Sequence, residues 1–95
     1  MTKETILEYL KGRKSEFADK YGVSAIGLFG SFARDGAKED SDIDIFVEMK
    51  PDIFSMVHIK ETIESDLHAK VDLVRLRESM NPMLRQEIIQ KGVRV

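Results

Sequence analysis

Residues 41–48 read Ser-Asp-Ile-Asp-Ile-Phe-Val-Glu. The alternation is strict. Ile43, Ile45 and Val47 fall on one side of an extended chain, and Asp42, Asp44 and Phe46 fall on the other. This period predicts a strand with one face in a core. Aspartate is depleted in strands, so two on one face need a reason. Same-face neighbours lie roughly 6.5–7 Å apart, close enough for two carboxylates to converge on one ligand. The competing reading is that both are simply hydrated.

Upstream, residues 23–29 (VSAIGLF) form a short apolar run bounded by glycines, the pattern of a buried strand. Residues 30–41 are polar and turn-rich, with a short helix expected from Ser31 through Arg34 and ending at Gly36. That link is too short for a crossover helix, so these two strands are expected to be antiparallel neighbours. Before them, Ile6, Leu10, Phe17 and Tyr21 recur at roughly helical spacing over residues 2–20. Gly12 is a place where this helix could divide, and Gly22 a place for it to stop.

Downstream, Pro51 breaks the chain and Asp52 is a natural N-cap. Ile53, Met56, Ile59, Ile63 and Leu67 follow at helical steps, with Lys60, Glu61 and Glu64 suited to the wet side. Residues 70–76 (KVDLVRL) predict a third strand, read as central because it is so apolar. Asn81-Pro82 is a cap followed by proline at the first helical position. Met83, Leu84, Ile88 and Ile89 supply that helix with an apolar side, Gly92 ends it, and residues 93–95 suit a short edge strand. The predicted class is α/β: a small mixed β-sheet of three or four strands flanked by helices, in one domain spanning residues 1–95.

Asp72 adds a third acid within an apolar strand. Three carboxylates about 4 Å apart would repel pairwise by around 4 kcal/mol at an effective dielectric of ~20, which only cations relieve. Hard divalent ions prefer oxygen, and Mg²⁺ takes one or two carboxylates together with substrate phosphates and water. Two such ions suit phosphoryl displacement. Gly30-Ser31, at the junction of the first strand and the short helix, lets a phosphate approach the backbone and free N–H groups. Ser31 is otherwise a plain N-cap. The combination Gly-Ser-x10-Asp-x-Asp arises by chance in roughly one chain of this size in a thousand at ordinary residue usage.

These stretches, Gly30-Ser31-Phe32-Ala33-Arg34 and then Ser41-Asp42-Ile43-Asp44-Ile45-Phe46-Val47, resemble the minimal nucleotidyltransferases of the polymerase-β-like superfamily. The likeness extends to Lys20-Tyr21-Gly22-Val23, Leu28-Phe29 and Val71-Asp72-Leu73-Val74. It implies the nucleotidyltransferase fold. It further implies that Asp42 and Asp44 ligate Mg²⁺ (two ions), that Asp72 completes the site and assists deprotonation of the acceptor, and that Gly30 and Ser31 hold the triphosphate of ATP. Arg34 is open between the triphosphate and a salt bridge that steadies the short helix. One departure concerns the turn: the family carries glycine directly after the motif arginine, whereas here Asp35 precedes Gly36. The expectation is a turn re-formed around Gly36, with an extra negative charge near the triphosphate. Small members of this group are antitoxins paired with a HEPN-domain ribonuclease toxin, so the resemblance implies transfer of AMP from ATP to a tyrosine of such a partner.

Composition fits this assignment. The chain has 95 residues, 42% hydrophobic and 34% charged, with net charge −2. A domain of that size buries about 60–65% of its unfolded surface, enough for one modest core. The charge argues against an unaided grip on nucleic acid. No cysteine is present, which excludes disulfides and thiolate metal sites. No apolar run approaches the ~20 residues of a membrane span, and residues 1–5 hold no signal-peptide core, so a cytoplasmic protein is expected. His58 and His68 lack partners at metal-ligand spacing. Lys11, Arg13 and Lys14 suit a solvated helix face, and Arg75 and Arg77 could meet a phosphate or an acidic partner. Three functions compete: adenylyl transfer to a toxin, neutralisation of the toxin by contact alone with a decayed site, and nucleotidyl transfer to a small molecule or RNA. Oligomeric state, homo- or hetero-, is open at this level.

Overall fold

A computed structural model describes residues 1–38 and 40–95. Glu39, in the expected polar loop, lies outside the described residues. Among the described residues the order is α1 (Lys3–Tyr21), β1 (Ala25–Phe29), α2 (Gly30–Ala33), β2 (Ile43–Glu48), α3 (Ile53–Leu67), β3 (Val71–Arg75), α4 (Pro82–Lys91) and β4 (Val93–Arg94).

Helix α1 begins where the Thr2 hydroxyl accepts from the Thr5 N–H, and it ends at Gly22 in the left-handed conformation. Gly12 does not divide it. Nothing lies within 4 Å of where its side chain would be, so no tertiary contact forces a break. Ile6, Leu10 and Phe17 are fully buried, each contributing roughly 1.5–3 kcal/mol of transfer free energy. Helix α3 starts at Asp52, which caps the Ser55 N–H, and α4 starts at Asn81, whose side chain accepts from Met83 and Leu84 with Pro82 at the first turn.

The sheet order is β3-β2-β1-β4. Strand β1 pairs antiparallel with β2 and with β4, while β2 and β3 are parallel, so the sheet is mixed as expected. The tail forms the expected edge strand. The other edge is β3, which corrects its reading as a central strand: apolar content alone could not separate a central strand from an edge covered by a helix on one face.

Two cores sandwich the sheet. Ile43, Ile45 and Val47 face Ile6, Leu10, Phe17, Ile59 and Ile63. On the other face Phe29, Phe46, Leu76, Met80 and Ile88 form a second cluster. The face of β2 carrying the aspartates is therefore covered at Phe46, half-buried at Asp44 and open at Asp42. Phe46 is 1% exposed, and its Cε1 comes within 2.6 Å of where a Gly27 Cβ would stand. Any side chain at Gly27 would collide with this ring.

Candidate active site

Pairing places the candidate residues. In the antiparallel register Phe29 stands opposite Asp44, so the chain leaving β1 passes Gly30 directly over that carboxylate. A Cβ at Gly30 would stand 2.8 Å from the Asp44 Cγ, and Gly30 has φ +73, a region that disfavours side chains. Both the backbone and the space demand glycine. On the other side, the parallel register sets Asp44 opposite Asp72. Asp44 is half-buried, while Asp42 and Asp72 are exposed. The exposure of Asp72 follows from its edge strand.

Electrostatics reports the convergence. The Asp44 carboxyl is pushed up to about 6, first by burial, then by the negative charges of Asp72, Asp42 and Glu87, while Arg34 pulls it down. Glu87 is a residue that the sequence pattern did not single out. It lies in mid-α4, next to the buried Ile88, and accepts from the Arg34 Nη1 at 2.7 Å. No local signal marks it, because its place is set by the packing of α4 on α2 and β1. Arg34 thus makes the helix-steadying ion pair, and it makes it beside the carboxylates.

The turn after α2 differs from the expectation of a turn re-formed around Gly36. Asp35 itself takes the left-handed conformation, with φ 58. The Gly36 N–H then donates to the Ser31 carbonyl at 2.8 Å. Aspartate is among the few residues that visit this region as single residues, so the turn keeps its place without glycine. Ser31 is half-buried and Asp35 exposed.

Among the described residues no three His, Cys, Asp or Glu side chains close up into a metal-holding group by themselves. Asp42, Asp44 and Asp72 are electrostatic neighbours and not a preformed chelate. The donor set nonetheless fits a hard divalent cation. Its oxygens are carboxylates only, one of them carries a proton affinity that a cation would relieve, and such ions draw much of their shell from phosphates and water. Arg75 and Arg77 stand away from this site, further along β3 beside α3. His58 stacks on Tyr21 and His68 ends α3, neither near the carboxylates.

A small mixed sheet with a glycine turn set over a paired-carboxylate edge defines a nucleotidyltransferase. The model of the family described as "Polymerase beta, Nucleotidyltransferase" matches residues 6–95, and this chain belongs to that family. It is 35% identical over 97 residues to the protein adenylyltransferase MntA of Thermococcus cleftensis, spanning 100% of this chain and 97% of that one. Among solved structures it resembles a toxin–antitoxin with AMP-PNP at 27% identity and a TM-score of 0.71, covering 99% of this chain and 72% of that one. It also resembles the tri-AMPylated Shewanella oneidensis HEPN toxin in complex with MNT antitoxin, at 25% identity and a TM-score of 0.70, over 98% of this chain and 71% of that one. Among the described residues no helix is long and apolar enough to cross a membrane.

Proposed function

We propose that this chain, acting as one domain over residues 1–95 in the cytoplasm, transfers AMP from ATP to a tyrosine hydroxyl of a HEPN toxin and thereby acts as its antitoxin. The observation that carries this reading is the pairing of Asp44 with Asp72 beneath a glycine that tolerates no side chain. The relatives support the chemistry: one is a protein adenylyltransferase, and another is an antitoxin in complex with an AMPylated HEPN toxin.

In this reading Asp42, Asp44 and Asp72 hold Mg²⁺ (two ions), and Gly30, Ser31 and Arg34 hold the triphosphate. When bound, the ions supply charge neutralisation between the carboxylates and the phosphates and stabilise the leaving oxygens. The protein's own contribution is positional. Gly30 leaves room for phosphate above Asp44. Arg34, released from Glu87, can turn its guanidinium to phosphate oxygens. Asp72, exposed at the sheet edge, faces the side open to an acceptor and can take the tyrosine proton. The phenolic oxygen forms the new bond to the α-phosphorus, the bond to the bridging oxygen breaks, and pyrophosphate leaves.

Neutralisation by contact alone has one feature in its favour, the extra negative charge of Asp35 beside the phosphate turn; against it, Gly30, Asp44 and Asp72 keep the arrangement that transfer needs. Transfer to a small molecule or RNA finds no support in the relatives above.

The test is intact-mass spectrometry of the HEPN toxin after incubation with this chain, ATP and Mg²⁺. Whole AMP increments mapping to tyrosine are expected, and they should vanish with Asp42→Asn. Neutralisation of the toxin without any increment, equally well by Asp42→Asn, would establish the contact-only function instead.

A further inference from the structure

The first turns of α3 break the pattern of the rest of that helix. Ile53 was expected on its inner stripe, yet it is 68% exposed; Phe54 is 76% and Val57 44% exposed, whereas Ile59 and Ile63 are fully buried. Single exposed apolar residues are ordinary, but an adjoining group that continues into a groove is not. A groove of about 530 Å³ runs between this turn and β3, floored by Ile53, Met56, Leu73 and Val74 and ended by Arg75 and Arg77. A smaller hollow of about 200 Å³ continues it past Val57 to Lys60.

We infer that this surface docks the acceptor protein, receiving an amphipathic helix whose apolar stripe is flanked by carboxylates. The inference rests on the reading that the chain modifies another protein.

Three observations choose this occupant. The first excludes an added strand. The Ile43 N–H donates to the Lys70 carbonyl and the Leu76 N–H to the Val47 carbonyl, so the even-numbered residues of β3 turn to β2 and Val71, Leu73 and Arg75 turn to the free edge. There the Val71 N–H donates to Glu64 Oε2 at 3.0 Å, and the Arg75 carbonyl accepts from the Arg77 Nη1 at 2.9 Å. With the Val71 N–H and the Arg75 carbonyl already taken by side chains, this short edge offers an interrupted row of backbone groups, poorly suited to β-augmentation.

The second observation excludes a second copy of this chain. Lys60, Arg75 and Arg77 line the surface. The one acid lining it, Asp52, has its carboxylate engaged by the Ser55 N–H at 3.1 Å and the Ser55 hydroxyl at 2.7 Å. A twofold pairing of this surface with itself would set cation against cation. A chain bearing carboxylates beside apolar anchors meets it with opposite charge. The excess of cations here is local, since the whole chain carries −2.

The third is position. Consecutive strand residues point to opposite faces, so Leu73 lies on the α3 side and Asp72, with Val74, on the carboxylate side, and the groove wraps the β3 edge between the two. A partner seated over the β3 edge stands one residue from the acid placed nearest the acceptor.

The test uses the full chain and the HEPN toxin. Phe54→Ser and Arg77→Glu alter exposed side chains, and circular dichroism melts verify that both variants fold. Calorimetry is expected to show each variant's affinity for the toxin reduced at least about tenfold, the loss expected of an interface anchor. Mg²⁺-dependent ATP binding should be unchanged. Unchanged toxin affinity in both folded variants would overturn the inference. So would sedimentation showing that the wild-type chain self-associates and that Phe54→Ser abolishes this while toxin binding persists. If the variants lose the toxin but wild type adds no AMP to it, the docking surface stands and the proposed reaction fails.

Discussion

Asp44 stands opposite Asp72 across the parallel pair β2–β3, half-buried beneath Gly30, with its carboxyl pushed up to about 6 by burial and by the acids around it. In the unfolded chain this carboxyl titrates near 3.8. The folded state therefore holds its proton more tightly, and stability falls as pH rises from about 4 to about 6, then stays low above that. Asp44→Asn removes the charge. Without divalent ions it should melt a few degrees above wild type at pH 8, with the gain shrinking to nothing near pH 4. Thermal melts at the two pH values check this; a gain independent of pH would contradict the electrostatic account. The same variant should transfer no AMP, so stability and function oppose one another at this position.

Gly30→Ala should fail on both counts. The φ of +73 strains alanine, and its Cβ meets the Asp44 carboxylate. A loss of about 2 kcal/mol or more is expected in urea denaturation, together with loss of AMP transfer. A variant of wild-type stability would mean that β1 and β2 can separate at this point without cost.

Asp35→Gly should act in the opposite direction. Relief of the left-handed aspartate outweighs the extra freedom given to the unfolded chain, for a net gain of about 0.5–1 kcal/mol. Loss of a negative charge beside the phosphate turn should also lower KM for ATP. Chemical denaturation and steady-state kinetics read the two effects separately.

Arg34 and Glu87 form an ion pair at 2.7 Å with both side chains part-exposed, so its contribution to stability should be small, about 0.2–1 kcal/mol in a double-mutant cycle. Arg34→Ala should nonetheless raise KM for ATP about five- to tenfold through loss of a phosphate contact. Stability loss with unchanged KM would reduce Arg34 to a strut between α2 and α4.

Much of this site was legible in the sequence because it is local. The alternation from Asp42 to Val47 fixes a strand and its faces, and Gly30-Ser31 precedes it by a link too short for anything but an antiparallel return. What escaped was set by packing at a distance. Glu87 reaches the site only because α4 covers the second face of the sheet. Asp72 groups with Asp42 and Asp44 in the sequence reading but in a central strand, whereas the edge position of β3 leaves it exposed and the β2–β3 register sets it opposite Asp44. Ile53 fits the helical stripe of α3 by spacing, yet it stands 68% exposed beside the groove along β3. Asp35 shows the limit of reading turns by residue type: Gly36 was the obvious pivot, and the neighbouring aspartate took the left-handed conformation instead.

The central claim is that the carboxylates of β2 and β3 serve AMP transfer to a protein. The most direct measurement incubates the chain and the HEPN toxin with Mg²⁺ and ATP labelled either at the α- or at the γ-phosphate. The account predicts label on the toxin from the α-phosphate alone, release of pyrophosphate in equal amount, and neither with Asp44→Asn. Label arriving from the γ-phosphate, or transfer that survives Asp44→Asn, would contradict it.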